Sequence, residues 1–314
     1  MTAAVSVADG LSIVRGIPLA EEAGIGALTL GGYLREITQA YGPREAAMIR
    51  DGAQVIRWTY ADLWDRSVEV ARALVACGVG KGTRVGILQT NRLEFLSCLF
   101  GTALAGGVAT TISTFFTGSE VDEVLRMSGC SVLLMDRHVL KKDFGAILAE
   151  LEPLIGKAAP DGLSSARFPF LRHLAFVDTD EGMGAIEGWG AFRARGNAVS
   201  PEMVEATAAA VAPADPGILF FSSGSTGKAK GIQCAHRAPC LVGQRLLLFR
   251  KFLHDPWRHA DKRRHHPLAA LVRCRGCRRS AGTGTRKHGN RLAAPVAAAR
   301  RCAELCQCRS FGHA

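Results

Sequence analysis

From Val55 to Val177 the chain alternates between two hydrophobic patterns. Stretches with apolar residues every three or four positions predict helices, and short continuous apolar runs between them predict buried strands. Thr59 is placed to cap a helix, with Asp62 as its partner three residues on. That helix runs from Tyr60 to about Cys77 with Leu63, Val68, Ala71, Leu74 and Val75 along one face, and Gly78 is its stop. A strand follows at 84–89. Asn91 to Ala105 is a second helix, with Leu93, Leu96 and Phe100 inward, and Val108–Thr111 a second strand. Ser119 is expected to cap a third helix through Met127, ended by Gly129. Then come a strand at Ser131–Met135, a helix around Val139–Leu151 and a strand at His173–Val177. Strand and helix in strict turn imply an α/β fold, a parallel sheet covered by helices on both faces.

Further on the punctuation changes. Pro153 to Pro169 is a looser connection, Ser200-Pro201 opens another helix in the cap-then-proline order, and Asp215-Pro216-Gly217 is a turn. Gly217–Phe221 and Gly231–His236 are two more apolar strands. No internal repeat is visible. The stretch from Phe95 to Ser119 carries no charge and is long enough to cross a bilayer. Gly106-Gly107 interrupts it, however, and Thr110, Thr111, Ser113 and Thr114 crowd its second half, which suits a buried helix followed by a buried strand.

Charge separates the last quarter from the rest. The formal net charge is +11, yet residues 241–314 hold 17 of the 39 Lys and Arg against three acids, Asp255, Asp261 and Glu304. That segment is +14 and the remainder −3. Cysteine divides the same way. Cys77, Cys98, Cys130, Cys234 and Cys240 are scattered and suit small buried hydrophobes in a reducing compartment. With no basic start and apolar run at the N-terminus, the expectation is a cytoplasmic protein without a transmembrane segment.

The candidate chemistry lies between the last two strands, in Ser222-Ser223-Gly224-Ser225-Thr226-Gly227-Lys228-Ala229-Lys230. Two glycines let the backbone turn N–H groups toward an anion, four hydroxyls add donors, and two lysines add positive charge. A polyphosphate suits such a loop, although a plain Ser/Gly hairpin loop shares the composition. The pattern G-x-x-x-x-G-K-[ST] does not fit, because only two residues separate Gly224 from Gly227 and Ala229 stands where a magnesium-binding hydroxyl belongs.

The run S-S-G-S-T-G-K-A-K-G resembles the signature [ST]-S-G-[ST]-T-G-x-P-K-G of the adenylate-forming (AMP-binding) superfamily, departing from it only at Ala229, where proline is usual. Trp58–Val108 resembles that family's first core region, and residues 112–144 look most like its acyl-CoA synthetases. The resemblance covers roughly residues 30–240. It implies that Ser222, Ser223, Gly224, Ser225, Thr226, Gly227 and Lys230 hold the phosphates of ATP, with Lys228 solvated. It implies Mg2+, coenzyme A and a carboxylic acid as the other participants, and a reaction through an acyl-adenylate. His236 matches a histidine placed by the resemblance near the acyl group, as a catalytic candidate. A strand-end histidine satisfied by the core is the other reading.

The later motifs of that family, for magnesium, for the ribose and for the adenylation lysine, have no counterpart after about residue 245. The last 74 residues hold no Ile, Tyr or Met but 14 Arg, six His and five Cys. The division expected is therefore a leader at 1–30, a partial adenylation domain at 31–245, and a basic tail at 246–314. The tail is expected to be disordered and the chain inactive alone. A change of reading frame near 240–255 explains the tail's composition. A zinc module built on Cys274 and Cys277 has the wrong later spacing, and a nucleic-acid arm lacks interleaved aromatics. No specific nucleic-acid partner is expected. A nucleotide-binding remnant without turnover is the alternative to the enzyme.

Overall fold

The computed structural model describes residues 28–51, 54–223 and 229–236. The tail, and the leader up to residue 27, lie outside them. Helix α1 (Leu30–Tyr41) and a hairpin of β1 (Glu45–Asp51) and β2 (Gln54–Thr59) come first, ahead of the alternation seen in the sequence. Then follow α2 (Tyr60–Ala76), β3 (Arg84–Leu88), α3 (Leu93–Leu104), β4 (Val108–Thr111), α4 (Gly118–Ser128) and β5 (Val132–Met135). After a small hairpin of β6 (His138–Val139) and β7 (Lys142–Asp143) come α5 (Phe144–Leu151), α6 (Pro153–Lys157), β8 (His173–Phe176) and β9 (Ile186–Glu187). Helix α7 (Trp189–Ala194), a 3-10 turn at Arg195–Ala198, α8 (Pro201–Ala209), β10 (Pro216–Ser223) and β11 (Ala229–Ala235) complete the order.

Seven strands form one sheet in the order β11-β10-β4-β3-β5-β8-β9. The pairs from β10 through β9 are parallel, as the alternation implies. Strand β11, which lies beyond the stretch of strict alternation, runs antiparallel to β10. The reason is length. Only residues 224–228 join the two strands, whereas a parallel return needs a crossover of about a dozen residues.

Period-two alternation divides the core between the two faces. Val132 and Leu134 of β5, Ala175 of β8 and Ile218 of β10 pack with α1, α2 and α3. Their neighbours Leu133, Met135, Leu174, Phe176, Leu219 and Phe221 pack with α4 and α5 on the other face.

Helix α2 begins as its first residues dictate. The Thr59 hydroxyl accepts the Asp62 N–H at 3.1 Å, and the Asp62 carboxylate accepts the Thr59 N–H at 2.8 Å. At the other end Gly78 takes φ +77°, and the N–H groups of Gly78 and Val79 reach the carbonyls of Val75 and Leu74. Leu63, Ala71 and Leu74 are buried as expected, with Val68 and Val75 partly so. Helix α3 is buried along its whole length, not on one stripe. It fits against α2 because Gly101 has no side chain: a Cβ there would lie 2.8 Å from Val70 Cβ and 2.9 Å from the Ser67 carbonyl oxygen. The uncharged run is thus a buried helix and strand. Among the described residues no helix is long and apolar enough to cross a membrane.

Three local expectations are corrected. The cap of α4 is Thr117, not Ser119: the Glu120 carboxylate accepts the Thr117 N–H at 2.7 Å and the Thr117 hydroxyl accepts in return. Asp122, the residue that would partner Ser119, is drawn off instead by Arg126 and Arg167. The helix assigned to Val139–Leu151 starts only at Phe144, capped by Asp143, because Leu140 at φ +56° turns the chain into the β6–β7 hairpin. Pro216 and Gly217 already belong to β10. The turn lies just before them, where the Asp215 carboxylate accepts the Ala212 N–H at 2.7 Å.

Candidate functional site

Strand β10 carries the candidate loop to the carboxyl edge of the sheet. It pairs with β4 through Ile218, Leu219 and Phe220, opposite Ala109, Thr110 and Thr111. It then runs three residues further, through Phe221, Ser222 and Ser223. In open α/β sheets this edge is where ligands are held. The return strand starts at once, with Ser223 opposite Ala229 and Ser222 opposite Lys230. Gly224, Ser225, Thr226, Gly227 and Lys228 lie outside the described residues, as do the side chains of Ser222 and Ser223. The two strands that flank them are fixed in register. Lys230 is exposed on the first turn-away residues of β11. Ala229, where the signature has proline, is partly buried against the core beneath and takes a place in the β-ladder.

The neighbouring connections shape this edge, and only the structure reveals them. The Asp136 carboxylate, just after β5, accepts the Thr90 N–H and hydroxyl, each at 2.7 Å, and Arg92 Nη1 at 3.1 Å. Arg92 in turn holds Glu94 at 2.8 Å. Burial weakens the charge on Arg92, but the two carboxylates outweigh it and raise the guanidinium above its ordinary range. Lys142 Nζ donates to the carbonyls of Thr114 at 3.0 Å and Phe116 at 2.8 Å, tying the β6–β7 hairpin to the loop that leaves β4 beside β10. No sequence period marks the ties to Asp136 and from Lys142, since each joins residues more than 25 positions apart.

His236 stands elsewhere. It follows β11, and its N–H donates to the Asp215 carbonyl at the opposite end of the sheet from the loop. Six steps along the chain separate it from Lys230, about 20 Å at ~3.4 Å per residue. The ring is buried and lies on the Gly217 backbone, where a Cβ would come within 3.0 Å of the imidazole Cγ. Its Nδ1 accepts the Leu30 N–H at 3.4 Å, which assigns the proton to Nε2. Nε2 is buried with no partner among the described residues. Burial lowers the imidazole pKa, with the Asp215 charge opposing. The geometry gives His236 a part in docking α1 on the sheet and does not bring it to the loop.

Cys98, Cys130 and Cys234 are buried and unbridged, and burial pushes the Cys98 thiol up to about 12. Cys240 lies outside the described residues. Among the described residues no group of three His, Cys, Asp or Glu could hold a metal ion.

The AMP-binding enzyme family matches residues 29–254, which takes in the carboxyl edge and its loop. The chain belongs to the AMP-binding enzyme family. Among its relatives in that family is a Mycobacterium tuberculosis enzyme, 3-[(3aS,4S,7aS)-7a-methyl-1,5-dioxo-octahydro-1H-inden-4-yl]propanoyl:CoA ligase. The two are 33% identical over 195 residues, 62% of this chain and 34% of that one. Acyl-CoA ligase sidI of Aspergillus fumigatus is 30% identical over 213 residues, 67% of this chain and 34% of that one. This AMP-binding chain therefore spans about a third of the length of the curated relatives it matches. Among solved structures, the anthranilate CoA ligase AuaEII in complex with anthranoyl-AMP superposes with a TM-score of 0.54 at 22% identity, covering 69% of this chain and 36% of that one. That likeness shows the fold: parallel-rich N-terminal architecture of the adenylate-forming ligases.

Proposed function

We propose that the chain is the triphosphate-holding N-terminal part of an ATP-dependent carboxylate–CoA ligase. The observation that carries this reading is the run S-S-G-S-T-G-K-A-K-G, whose flanking strands β10 and β11 pair in fixed register up to Ser223 and Ala229 at the carboxyl edge. Ser223, Gly224, Ser225, Thr226 and Gly227 would wrap the β- and γ-phosphates through backbone N–H groups and hydroxyls, and Lys230 would add charge from the stem. Such a cradle orients the α-phosphate for attack by a carboxylate and stabilises the departing pyrophosphate. The acyl group is a fatty or other carboxylic acid, coenzyme A is the later acceptor, and Mg2+ enters as the counter-ion of ATP with no ligand on this chain assigned to it. The relatives named as CoA ligases support this choice of acceptor. Residues 31–245 form the functional unit in this reading, and the unbridged cysteines suit the cytoplasm.

The chain alone is expected to bind ATP without turning it over, since the ribose and adenylation groups of the family are not among residues matched to its motifs. Calorimetric titration with ATP tests the first half: Lys230→Gln should weaken binding by about tenfold or more, the loss of a charge-assisted contact to phosphate. Unchanged affinity removes the loop from the site. Carboxylate-dependent exchange of labelled pyrophosphate into ATP tests the second half. No exchange is the expected result, and robust exchange shows a working ligase instead of a nucleotide-binding remnant.

A further inference from the structure

A second polar site lies on the outer face of the helices, between α2 and the α7 segment. It is an open cleft of about 250 Å³ lined by Glu69, Arg72, Arg193 and Asn197, with Gly190 and Gly196 in its walls. The elements meet closely because Gly196 has no side chain: a Cβ would stand 2.9 Å from the Ala73 amide and from Arg72 Cβ. Neither arginine spends its full set of donors. Arg72 gives Nε to the Val199 carbonyl at 2.6 Å, which holds the 3-10 turn against α2. Arg193 meets Glu69 with Nη1 alone, at 3.1 and 3.3 Å to the two carboxylate oxygens. An arginine–carboxylate pair normally uses two parallel N–H donors. Here the Arg193 Nε is buried and has no acceptor among the described residues. The guanidinium also lies 5.8 Å from the centre of the Trp189 ring. Glu202, exposed at the start of α8, is the other carboxylate within electrostatic reach of Arg72.

We infer that this cleft binds a phosphate-class oxyanion, held between the spare donors of Arg72 and Arg193 with the Asn197 amide at the rim. The donors open to a ligand are the guanidinium ends that these bonds leave over, Nη2 of Arg193 and both Nη groups of Arg72, and an oxyanion is the partner such charged donors suit. Donors from three separate side chains suit a tetrahedral group with several oxygens better than a planar carboxylate, and Glu69 already answers part of Arg193. The site is independent of the loop at the end of β10.

The test uses the full chain carrying Lys230→Gln, so that the loop contributes little. Inorganic phosphate, AMP and acetate are titrated at constant ionic strength while the arginine Nε–H signals and the tryptophan emission are followed. Saturable binding of phosphate is expected, with acetate weaker. Arg193→Gln and Arg72→Gln should each weaken phosphate by about tenfold or more, the scale of a hydrogen bond to a charged group. Glu69→Gln should tighten it, because a competing carboxylate is gone. Asn197→Leu, a change at an exposed side chain, should weaken binding with no change in melting temperature, which separates loss of the site from loss of the fold. AMP binding as well as phosphate identifies a phosphomonoester as the source, and AMP binding more weakly identifies free phosphate. A titration that does not saturate, or one indifferent to both arginine changes and to Glu69→Gln, overturns the inference.

Discussion

At the scale of single residues, two histidines, His236 buried and His173 partly buried, set the response to acid. His236 and His173 both have lowered pKa values. For each the first cause is burial. Arg195 adds to it at His173, where Asp161, 3.1 Å from Nδ1, works the other way. The unfolded chain holds histidine near an ordinary pKa of about 6.5. Above that pH both states are neutral and the fold keeps its full stability. As pH falls from about 6.5 toward the lower folded pKa values, the unfolded state takes up protons first and stability declines. A second proton on His236 would also turn Nδ1 from the acceptor of the Leu30 N–H into a donor facing it. The urea midpoint should therefore drop between pH 7 and 5. In His236→Asn the slope should flatten by up to about one proton, although the variant starts less stable. An unchanged slope would mean that His236 does not titrate on unfolding. The family was legible at the loop because ten consecutive positions carry one chemical pattern. The contact of His236 with α1 was not, since Leu30 and His236 lie 206 positions apart in the chain.

At the scale of elements, the corrected cap of α4 gives a paired prediction. Thr117→Ala removes a hydroxyl and half of a reciprocal cap and should cost about 1 kcal/mol in denaturant unfolding. Ser119→Ala should change stability by no more than about 0.5 kcal/mol, as an exposed position outside the cap. The reverse order would restore Ser119 as the cap. A second test concerns α2 against α3: Gly101→Ala should cost about 1–3 kcal/mol, because its Cβ meets Val70 and the Ser67 backbone below contact distance. These cases show why some elements were legible and others not. Helix α2 carries signals at both ends, Thr59 with Asp62 and then Gly78, so its limits were clear. The β6–β7 hairpin has only two residues in each strand, too few for a period to show, and its turn depends on Leu140 in a left-handed conformation that no residue type announces. Helix α1 and the first hairpin precede the regular alternation. In β2, Val55 and Ile56 face solvent while Trp58 turns inward, so the apolar pattern there points away from the core.

At the scale of the whole molecule, charge and fold are carried by different parts of the chain. The described residues make the sheet, its two helical layers and the stems of the loop, within a portion of near-neutral net charge. Residues 241–314 carry +14. Attraction of that segment to DNA or RNA would come from phosphate neutralisation, which is indifferent to sequence and falls steeply with salt. A zinc or base-reading module would instead keep a sequence preference at moderate salt. Deleting residues 246–314 tests this division. The shortened chain should lose nucleic-acid retention on a phosphate-bearing column at low salt, yet bind ATP as the full chain does, because both stems of the loop end before residue 236. The sheet should also melt at the same temperature, since its edge strand β11 and both core faces are built from residues before the deletion. ATP affinity falling with the deletion would mean that the basic segment completes the phosphate site. In that case the lysine at 230 and the charge beyond 245 act on one ligand, and the division of the molecule drawn from its charge pattern does not hold.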